Sequence, residues 1–281
     1  MKVILVTKRS TWDQYNLNPG AFGKFSRDSL SRAKDSHFNQ ERSTEIVLKA
    51  FQKFGVKPWI ITGPETAFDA SDAALVVTLG GDGTLMAASH HIGKKTPLLG
   101  INSDPLFSLG HFCGAVAGNT EKWLNRIFGK GVSLTEVTRM EILVGGKVVS
   151  KRVLNEALFS HTCPAAMTRF TLGVRYKTWI ETERYNCSGV WIGTGAGSTG
   201  AIASAGGKVQ PPTSKKLQAV IREHCGAKPG QSPVLLQREF ILVSKSPDAT
   251  LYLDGPFLRV PIGHDQRVVF RLSKDYLSLV L

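Results

Sequence analysis

The segment Leu79-Gly80-Gly81-Asp82-Gly83-Thr84 joins three glycines to one carboxylate, directly after an apolar run and before a stretch of helical pattern. Glycine lets a chain turn sharply and approach a ligand with no β-carbon in the way. The N–H groups at a helix start favour an anion, which suits a phosphate. A carboxylate beside phosphates is unfavourable unless it holds a cation or takes a proton, so Asp82 is a candidate magnesium-linked residue or general base. The competing reading is a plain strand-to-helix turn with Asp82 as N-cap. The spacing matches neither a Walker loop nor the dinucleotide fingerprint.

A second glycine-rich segment, Gly193-Thr194-Gly195-Ala196-Gly197-Ser198-Thr199-Gly200, follows the apolar run Val190-Trp191-Ile192 and leads to Ser204-Ala205-Gly206-Gly207. Its amides and hydroxyls are candidate donors to phosphate or ribose oxygens. Gly100-Ile101-Asn102-Ser103-Asp104-Pro105 follows another strand-like run and is placed to line the same cleft. Asn155-Glu156 lies in a strand-like run over residues 153–159, where two polar neighbours are awkward in a dry core. Asn155 offers donors and an acceptor, and Glu156 can accept from two adjacent sugar hydroxyls. For these last two pieces surface decoration is the alternative.

The elements that must position these residues change character midway. Residues 3–7 read as a buried strand and residues 9–35 as a polar loop. Residues 41–54 form an amphipathic helix, with Ile46, Val47, Ala50, Phe51 and Phe54 on one face and Gly55 as its stop. Strands follow at 59–62, 74–79 and 98–101, with a helix at 84–91 before the last. Near-continuous apolar strands separated by helices indicate a mostly parallel sheet covered on both faces, an α/β domain over residues 1–130. Thereafter come a hairpin at 142–149 turning on Gly145-Gly146, strands at 152–159, 168–176, 189–193, 239–243, 250–253, 267–272 and 276–281, and helices near 198–205 and 215–224. Residues 131–281 are expected to form a β-rich domain, with the function lying between the halves.

Bulk properties narrow the function classes. The chain has 281 residues, 42% hydrophobic, with 35 Lys and Arg against 22 acids and a net charge of +13. That charge invites a nucleic-acid reading. The basic residues are scattered, however, in runs of no more than two, without a finger, helix-turn-helix or RNA-recognition pattern beside them. A basic protein that handles polyanionic nucleotides accounts for the same charge. The four cysteines lack paired spacing, so reduced thiols in a cytoplasm are expected. His90-His91 reads as one packed and one solvated residue rather than a metal site. The N-terminal apolar stretch is too short for a signal peptide, and no run has the length of a membrane span. A cytoplasmic protein without nucleic-acid or membrane partners is the expectation.

Taken in order, the chemical segments resemble the NAD kinase family. Its pattern runs Gly-Gly-Asp-Gly, Gly-Ile-Asn, Asn-Glu, then a Thr-Gly-Ser-Thr loop ending in Ser-Ala-Gly-Gly, and a later Asp-Gly matched here by Asp254-Gly255. The resemblance spans the whole chain. The N-terminal loop, and Asn102-Ser103-Asp104-Pro105 leading to Gly110-His111, look closest to the branch containing the animal mitochondrial enzyme. It implies a two-domain kinase moving a phosphoryl group from ATP, or polyphosphate, to the 2′-hydroxyl of the adenosine ribose of NAD, giving NADP. By that resemblance Asp82 would accept the hydroxyl proton. Gly80, Gly81, Gly83 and Thr84 would accommodate the donor's phosphates with Mg2+ or another divalent metal, with Asn102 beside them. Asn155 and Glu156 would hold NAD, and Thr194, Gly197, Ser198, Thr199 and Gly200 would contact its phosphate and sugar. A homodimer or higher homo-oligomer is also implied, consistent with β-strand edges that need covering.

There are departures from the family pattern. Ala201 stands where the family loop commonly carries Tyr, which removes a stacking surface for the substrate. Lys208-Val209-Gln210 replaces the usual Pro-Ile-Val. A lipid kinase of the diacylglycerol or sphingosine type shares Gly-Gly-Asp-Gly-Thr. It usually shows Gly-Thr-Gly-Asn-Asp soon afterwards, where this chain has Leu99-Gly100-Ile101-Asn102. A non-catalytic NAD-binding protein on the same fold is the third reading, against which intact Asp82 and Asn155-Glu156 argue.

Overall fold

The computed structural model describes residues 1–22, 25–63, 66–106, 108–175, 180–226, 233–256 and 258–281. They form two compact units, one of Met1–Thr135 with Leu277–Leu281 and one of Glu136–Tyr276.

In the first unit, strands β1 (Val3–Thr7), β2 (Trp59–Thr62), β3 (Leu75–Gly80), β4 (Leu98–Asn102), β5 (Ala115–Val116) and β6 (Leu134–Val137) join the C-terminal strand Leu277–Val280 in one sheet. Its order is β2-β1-β3-β4, then the C-terminal strand, then β6, with β5 beside β4. The pairings of β1 with β2 and β3, of β3 with β4, and of β4 with β5 and the C-terminal strand are all parallel. Strands β1, β3 and β4 are buried at every position, because helices cover both faces. Val3, Leu5, Leu75, Val77, Leu79, Leu99 and Ile101 share an apolar cluster with Val47, Ala50 and Phe51 of a long helix. The alternating residues Ile4, Val6, Val76 and Leu98 are equally buried on the opposite side.

The stretch expected to be a loop over residues 9–35 is instead largely helical: α1 (Thr11–Leu17) and the front of α2 (Arg27–Lys53) occupy it. The signals were local caps. Ser10 and Asp13 form a reciprocal capping box, and the Ser26 side chain accepts the Ser29 amide. Helix α2 is apolar only along its second half, so its front carries no hydrophobic stripe to read. Two shorter helices, α3 (Asp82–Ser89) and α4 (Thr120–Asn125), complete this unit.

The second unit is a sandwich. One sheet runs β11 (Ile180–Cys187), β10 (Thr168–Arg175), β15 (Glu239–Ser244), β18 (Arg267–Leu272), β7 (Met140–Val144) and β8 (Lys147–Val153). The other runs β14 (Val234–Gln237), β13 (Leu217–Arg222), β12 (Gly189–Gly193), β9 (Glu156–His161), β16 (Ala249–Leu253) and β17 (Leu258–Ile262). Every pairing is antiparallel, and one core cluster draws on both sheets, including Phe159, Phe170, Ile192, Phe240, Leu251 and Phe270. The β7–β8 hairpin turns on Gly145 and Gly146, both in the left-handed region at φ 56° and 83°, as a two-residue turn of that hand requires.

Three sequence expectations need correction here. The helix expected at 215–224 is strand β13, paired with both β12 and β14. Being covered on both faces, it lacks alternation, and its polar Gln218 is buried with its amide bonded to Lys208 N and O at 2.6 and 2.8 Å. The last strand was expected within the β-rich half but pairs with β4 in the first unit. The helix expected near 198–205 is a 3-10 turn, Ala196–Thr199, followed by the short α5 (Ala201–Ser204).

Candidate active site

In the first unit the strand order places a topological switch between β1 and β3: the chain leaves β1 for β2 on one side and returns to β3 on the other. In open α/β sheets the carboxyl ends of strands at such a point form the ligand crevice. There Lys8 N donates to Leu79 O at 3.1 Å, and the parallel register sets Gly80 beside Asn102. Chain geometry thus gathers Gly80, Gly81, Asp82, Gly83, Thr84 and Asn102 at one edge.

The role of Asp82 differs from a cap. Gly81 is the N-cap of α3 and no side chain caps the helix. The Asp82 carboxylate instead accepts the amides of His111 at 2.8 Å and Phe112 at 2.9 Å, one on each oxygen. Asn102 fastens the start of the same loop: its Nδ2 donates to Ser108 O at 2.8 Å and its Oδ1 accepts the Asp104 amide at 3.1 Å. Gly110 passes so close that a β-carbon there would lie 2.6 Å from Asn102 Nδ2, and its φ is 62°. Asn102 is therefore a loop organiser. The Asp82 carboxylate is held in one orientation, with a further lone-pair direction left on each oxygen.

The three glycines differ in what they allow. A β-carbon on Gly80 would meet Thr84 Oγ1 at 2.2 Å and one on Gly81 would meet Ser108 Oγ at 2.5 Å, whereas Gly83 is exposed with nothing within 4 Å. Gly80 and Gly81 serve protein packing; Gly83 leaves open space beside Asp82. Thr84, buried under Gly80, faces inward. Beside the turn, burial and the Asp82 charge push the Cys113 thiol up to about 12, which keeps it protonated and unreactive.

Polar residues of α2 carry the strand ends. Gln40 Nε2 donates to Leu79 O at 3.3 Å, Ser43 Oγ to Ser103 O at 2.9 Å, and Asn39 Nδ2 to Asp104 Oδ1 at 3.5 Å. Lys8, at the end of β1, is half-buried; burial lowers its pKa below the ordinary value and Asp104 opposes that shift. Sequence reasoning passed over Lys8 because a lone lysine after a strand has no motif.

In the second unit, Asn155 and Glu156 open β9, and the residue that seats them is Asp254. It follows β16 in the left-handed region at φ 47°. Its carboxylate accepts three successive amides, Leu154 at 2.7 Å, Asn155 at 2.7 Å and Glu156 at 3.1 Å, and its own amide donates to Glu156 O at 3.0 Å. Glu156 Oε2 and Asn155 Oδ1 are buried without a hydrogen-bond partner among the described residues. Burial, reinforced by Asp254, raises the Glu156 carboxyl to about 7. The fully buried Arg139 is lowered to about 10, by burial first, with Asp275 and Asp254 opposing.

The loop after β12 packs onto this same turn. Thr194 Oγ1 donates to Leu154 O at 2.5 Å and accepts the amides of Ala196 and Gly197 at 3.1 and 3.4 Å. Ser198 Oγ donates to Gly195 O at 2.7 Å and accepts the Gln210 amide at 2.8 Å. A β-carbon on Gly197 would lie 2.5 Å from Asn155 O, and one on Gly195 2.0 Å from Pro211 O. Thr194 and Gly197 therefore hold the loop against the Leu154-Asn155 turn and Ser198 ties it to Gln210, while Thr199 and Gly200 are exposed.

Among the described residues no three His, Cys, Asp or Glu side chains converge as a metal cage. His90 and His91 are both half-buried, and His91 packs against Phe68 at 4.9 Å, so neither is simply solvated. No helix among the described residues is long and apolar enough to cross a membrane.

A glycine-rich strand-to-helix turn on a parallel sheet, followed in the chain by a β-sandwich with a second glycine-rich loop, defines a two-unit class of α/β and all-β architecture. The family model for the ATP-NAD kinase N-terminal domain matches residues 20–131. A probable NADH kinase of Oryza sativa subsp. japonica is 34% identical over 232 residues, 75% of this chain and 71% of that protein. Two solved structures share the fold. The NAD kinase from Archaeoglobus fulgidus in complex with ATP has a TM-score of 0.71 at 18% identity, over 100% of this chain and 94% of that one. Yeast NADH kinase complexed with NADH has a TM-score of 0.72 at 15% identity, over 100% of this chain and 83% of that one. The chain belongs to the NAD kinase family.

Proposed function

We propose that this chain transfers a phosphoryl group from ATP to the 2′-hydroxyl of the adenosine ribose of NAD, giving NADP. The observation that carries the reading is Asp82: a carboxylate fixed by two backbone amides at a helix start, beside open space at Gly83. Phosphoryl transfer requires chiefly positioning and charge neutralisation. Asp82 takes the proton of the attacking hydroxyl, and the amides at the start of α3 face the donor's phosphates. A divalent cation carried in with the donor would neutralise its phosphates. Asp82 fits that arrangement as a single carboxylate, since magnesium in such sites uses one or two carboxylates plus phosphate oxygens. Asn155 and Glu156 bind NAD through the buried oxygens that have no protein partner. Thr199 is the loop hydroxyl exposed for a substrate contact.

The acceptor has a second form. The rice relative is named a probable NADH kinase and the yeast structure is of an NADH kinase, which favours the reduced dinucleotide as a further acceptor. One assay tests both readings. The protein is incubated with magnesium and ATP, or polyphosphate, together with NAD or NADH. NADP is detected with an NADP-specific dehydrogenase and NADPH by its absorbance. Phosphorylation of diacylglycerol or sphingosine with no NADP or NADPH formed would replace this reading with a lipid kinase. Binding of NAD without turnover would replace it with a sensor.

A further inference from the structure

Strand register builds a second feature next to Glu156. In the sheet of β9, β12 and β16, Trp191 pairs with Leu158, and Leu158 with Tyr252, so the three side chains stand in one row. Their strand neighbours Val190, Ile192, Ala157, Phe159, Leu251 and Leu253 all lie in the sandwich core. The alternation of a strand therefore turns Trp191, Leu158 and Tyr252 to the outer face. An outer sandwich face is ordinarily polar, yet here it carries two aromatic rings and a leucine, each half-buried.

One row along, about 7 Å by the rise of two residues, Glu156 pairs with Gly193 on the same face. Gly193 has no side chain to cover the carboxylate, and a β-carbon there would approach Glu156 Cβ to 3.2 Å. Glu156, Leu158, Trp191, Tyr252, Gly255 and Pro256 together line a cavity of about 310 Å³. Its lining is mostly apolar, with Glu156 at one end.

We propose, resting on the NAD kinase reading, that this cavity is a base subsite. The Trp191–Leu158–Tyr252 shelf takes one planar base of the dinucleotide, and Glu156 receives the hydroxyls of the ribose that carries it. The separation of the two rows corresponds to the reach from a ribose diol to its own base. Two aromatic faces with a carboxylate at one end recognise a nucleoside without reading its hydrogen-bonding edge.

The test is intrinsic fluorescence during titration with NAD, alongside steady-state kinetics. A base stacked on Trp191 quenches it. In Trp191→Leu that part of the quench disappears and the NAD dissociation constant rises by roughly five- to 150-fold, the range for loss of one base–aromatic stack. The ATP KM stays unchanged. Tyr252→Leu, read through the intact Trp191, weakens NAD similarly, and Trp191→Phe recovers part of the affinity. Repeating the titration with AMP and with nicotinamide mononucleotide assigns the base, since only the one that sits on the shelf responds to Trp191→Leu. If folded Trp191→Leu and Tyr252→Leu proteins bind NAD as the parent does, the subsite is wrong while the kinase reading stands. A loss of self-association in these variants with NAD affinity intact would also overturn it, and would give the shelf to a second copy of the chain. A parent protein that neither binds nor phosphorylates NAD fails the kinase reading itself.

Discussion

Replacing Asp82 by Asn removes the negative charge and the proton-accepting capacity while keeping the side-chain size. In this structure it also does more. Both carboxylate oxygens accept backbone amides, from His111 and Phe112. An Asn amide group presents one oxygen and one NH2, so one of these N–H groups would face another donor. Loss of a hydrogen bond to a charged group costs about 1.5–3 kcal/mol. For a chain of this length that lowers Tm by about 2–4 °C per kcal/mol. The expected kinetic effect is larger: turnover falls by about 10²- to 10⁴-fold through loss of the general base. Retained NAD affinity shows that the site in the second unit is intact. The two contributions separate in a turnover–pH profile. Loss of the base abolishes the acid limb of the profile, whereas a loosened loop lowers turnover at every pH and leaves the limb in place. A loss that recovers as magnesium is raised would assign Asp82 to the metal instead. Turnover within about threefold of the parent, well below the range for general-base loss, removes Asp82 from catalysis and leaves it a loop fastener.

Glu156→Gln tests the raised carboxyl. Its folded pKa of about 7 exceeds the ordinary 4.5, so the ionised form is disfavoured in the folded state and stability is lost as pH rises from about 4.5 to 7. The substitution should therefore stabilise the protein at pH 8 relative to pH 5, by on the order of 3 kcal/mol at most, and should flatten the pH dependence of NAD binding near 7. Equal melting shifts at both pH values would refute it. Gly197→Ala places a β-carbon 2.5 Å from Asn155 O, so it should cost about 1–3 kcal/mol and raise the NAD KM. Gly83→Ala meets nothing within 4 Å and should be as stable as the parent or more so by about 0.5–1 kcal/mol, yet bind substrate more weakly. Unchanged KM for both substrates would show that the space at Gly83 is unused. Asp254→Ala releases three amides and should lower stability by about 3 kcal/mol or more, with the NAD KM rising and the ATP KM unchanged. A rise in both would point to general loosening.

What the sequence made legible follows from where each element draws its stability. Strands β1, β3 and β4 and the back of α2 were readable because burial imposes apolar runs or a helical stripe on them. The front of α2 has no stripe; it is held by the Ser26 cap and by its continuation into a buried helix, and glycines and serines nearby made it look like loop. Strand β13 failed for the opposite reason. It is covered on both faces, so period-2 alternation is absent, and even its polar Gln218 is buried, with its amide bonded to Lys208. The C-terminal strand was readable as a strand but its sheet was not, since pairing with β4 depends on a contact nearly the whole chain away.

The candidate site shows a similar division between composition and geometry. Gly80, Gly81, Asp82 and Gly83 could be singled out because glycine and a carboxylate at a strand end are costly without a purpose. The hydroxyls of Thr194 and Ser198 suggested ligand donors, yet both donate to backbone carbonyls, Thr194 to Leu154 and Ser198 to Gly195, as Thr and Ser readily do. A loop tied internally in this way presents a fixed surface, so ordering cost is met on folding rather than on binding. Asp254 is the mirror case. It lies about a hundred residues from Asn155, and only the β9–β16 pairing reveals that its carboxylate gathers the three amides that aim Asn155 and Glu156. The outer shelf of Trp191 and Tyr252 was within reach of the sequence, since each is the middle residue between two core aliphatics. Alternation alone turns such a residue outward, and an aromatic turned outward on a sandwich face is the observation that asks for a ligand.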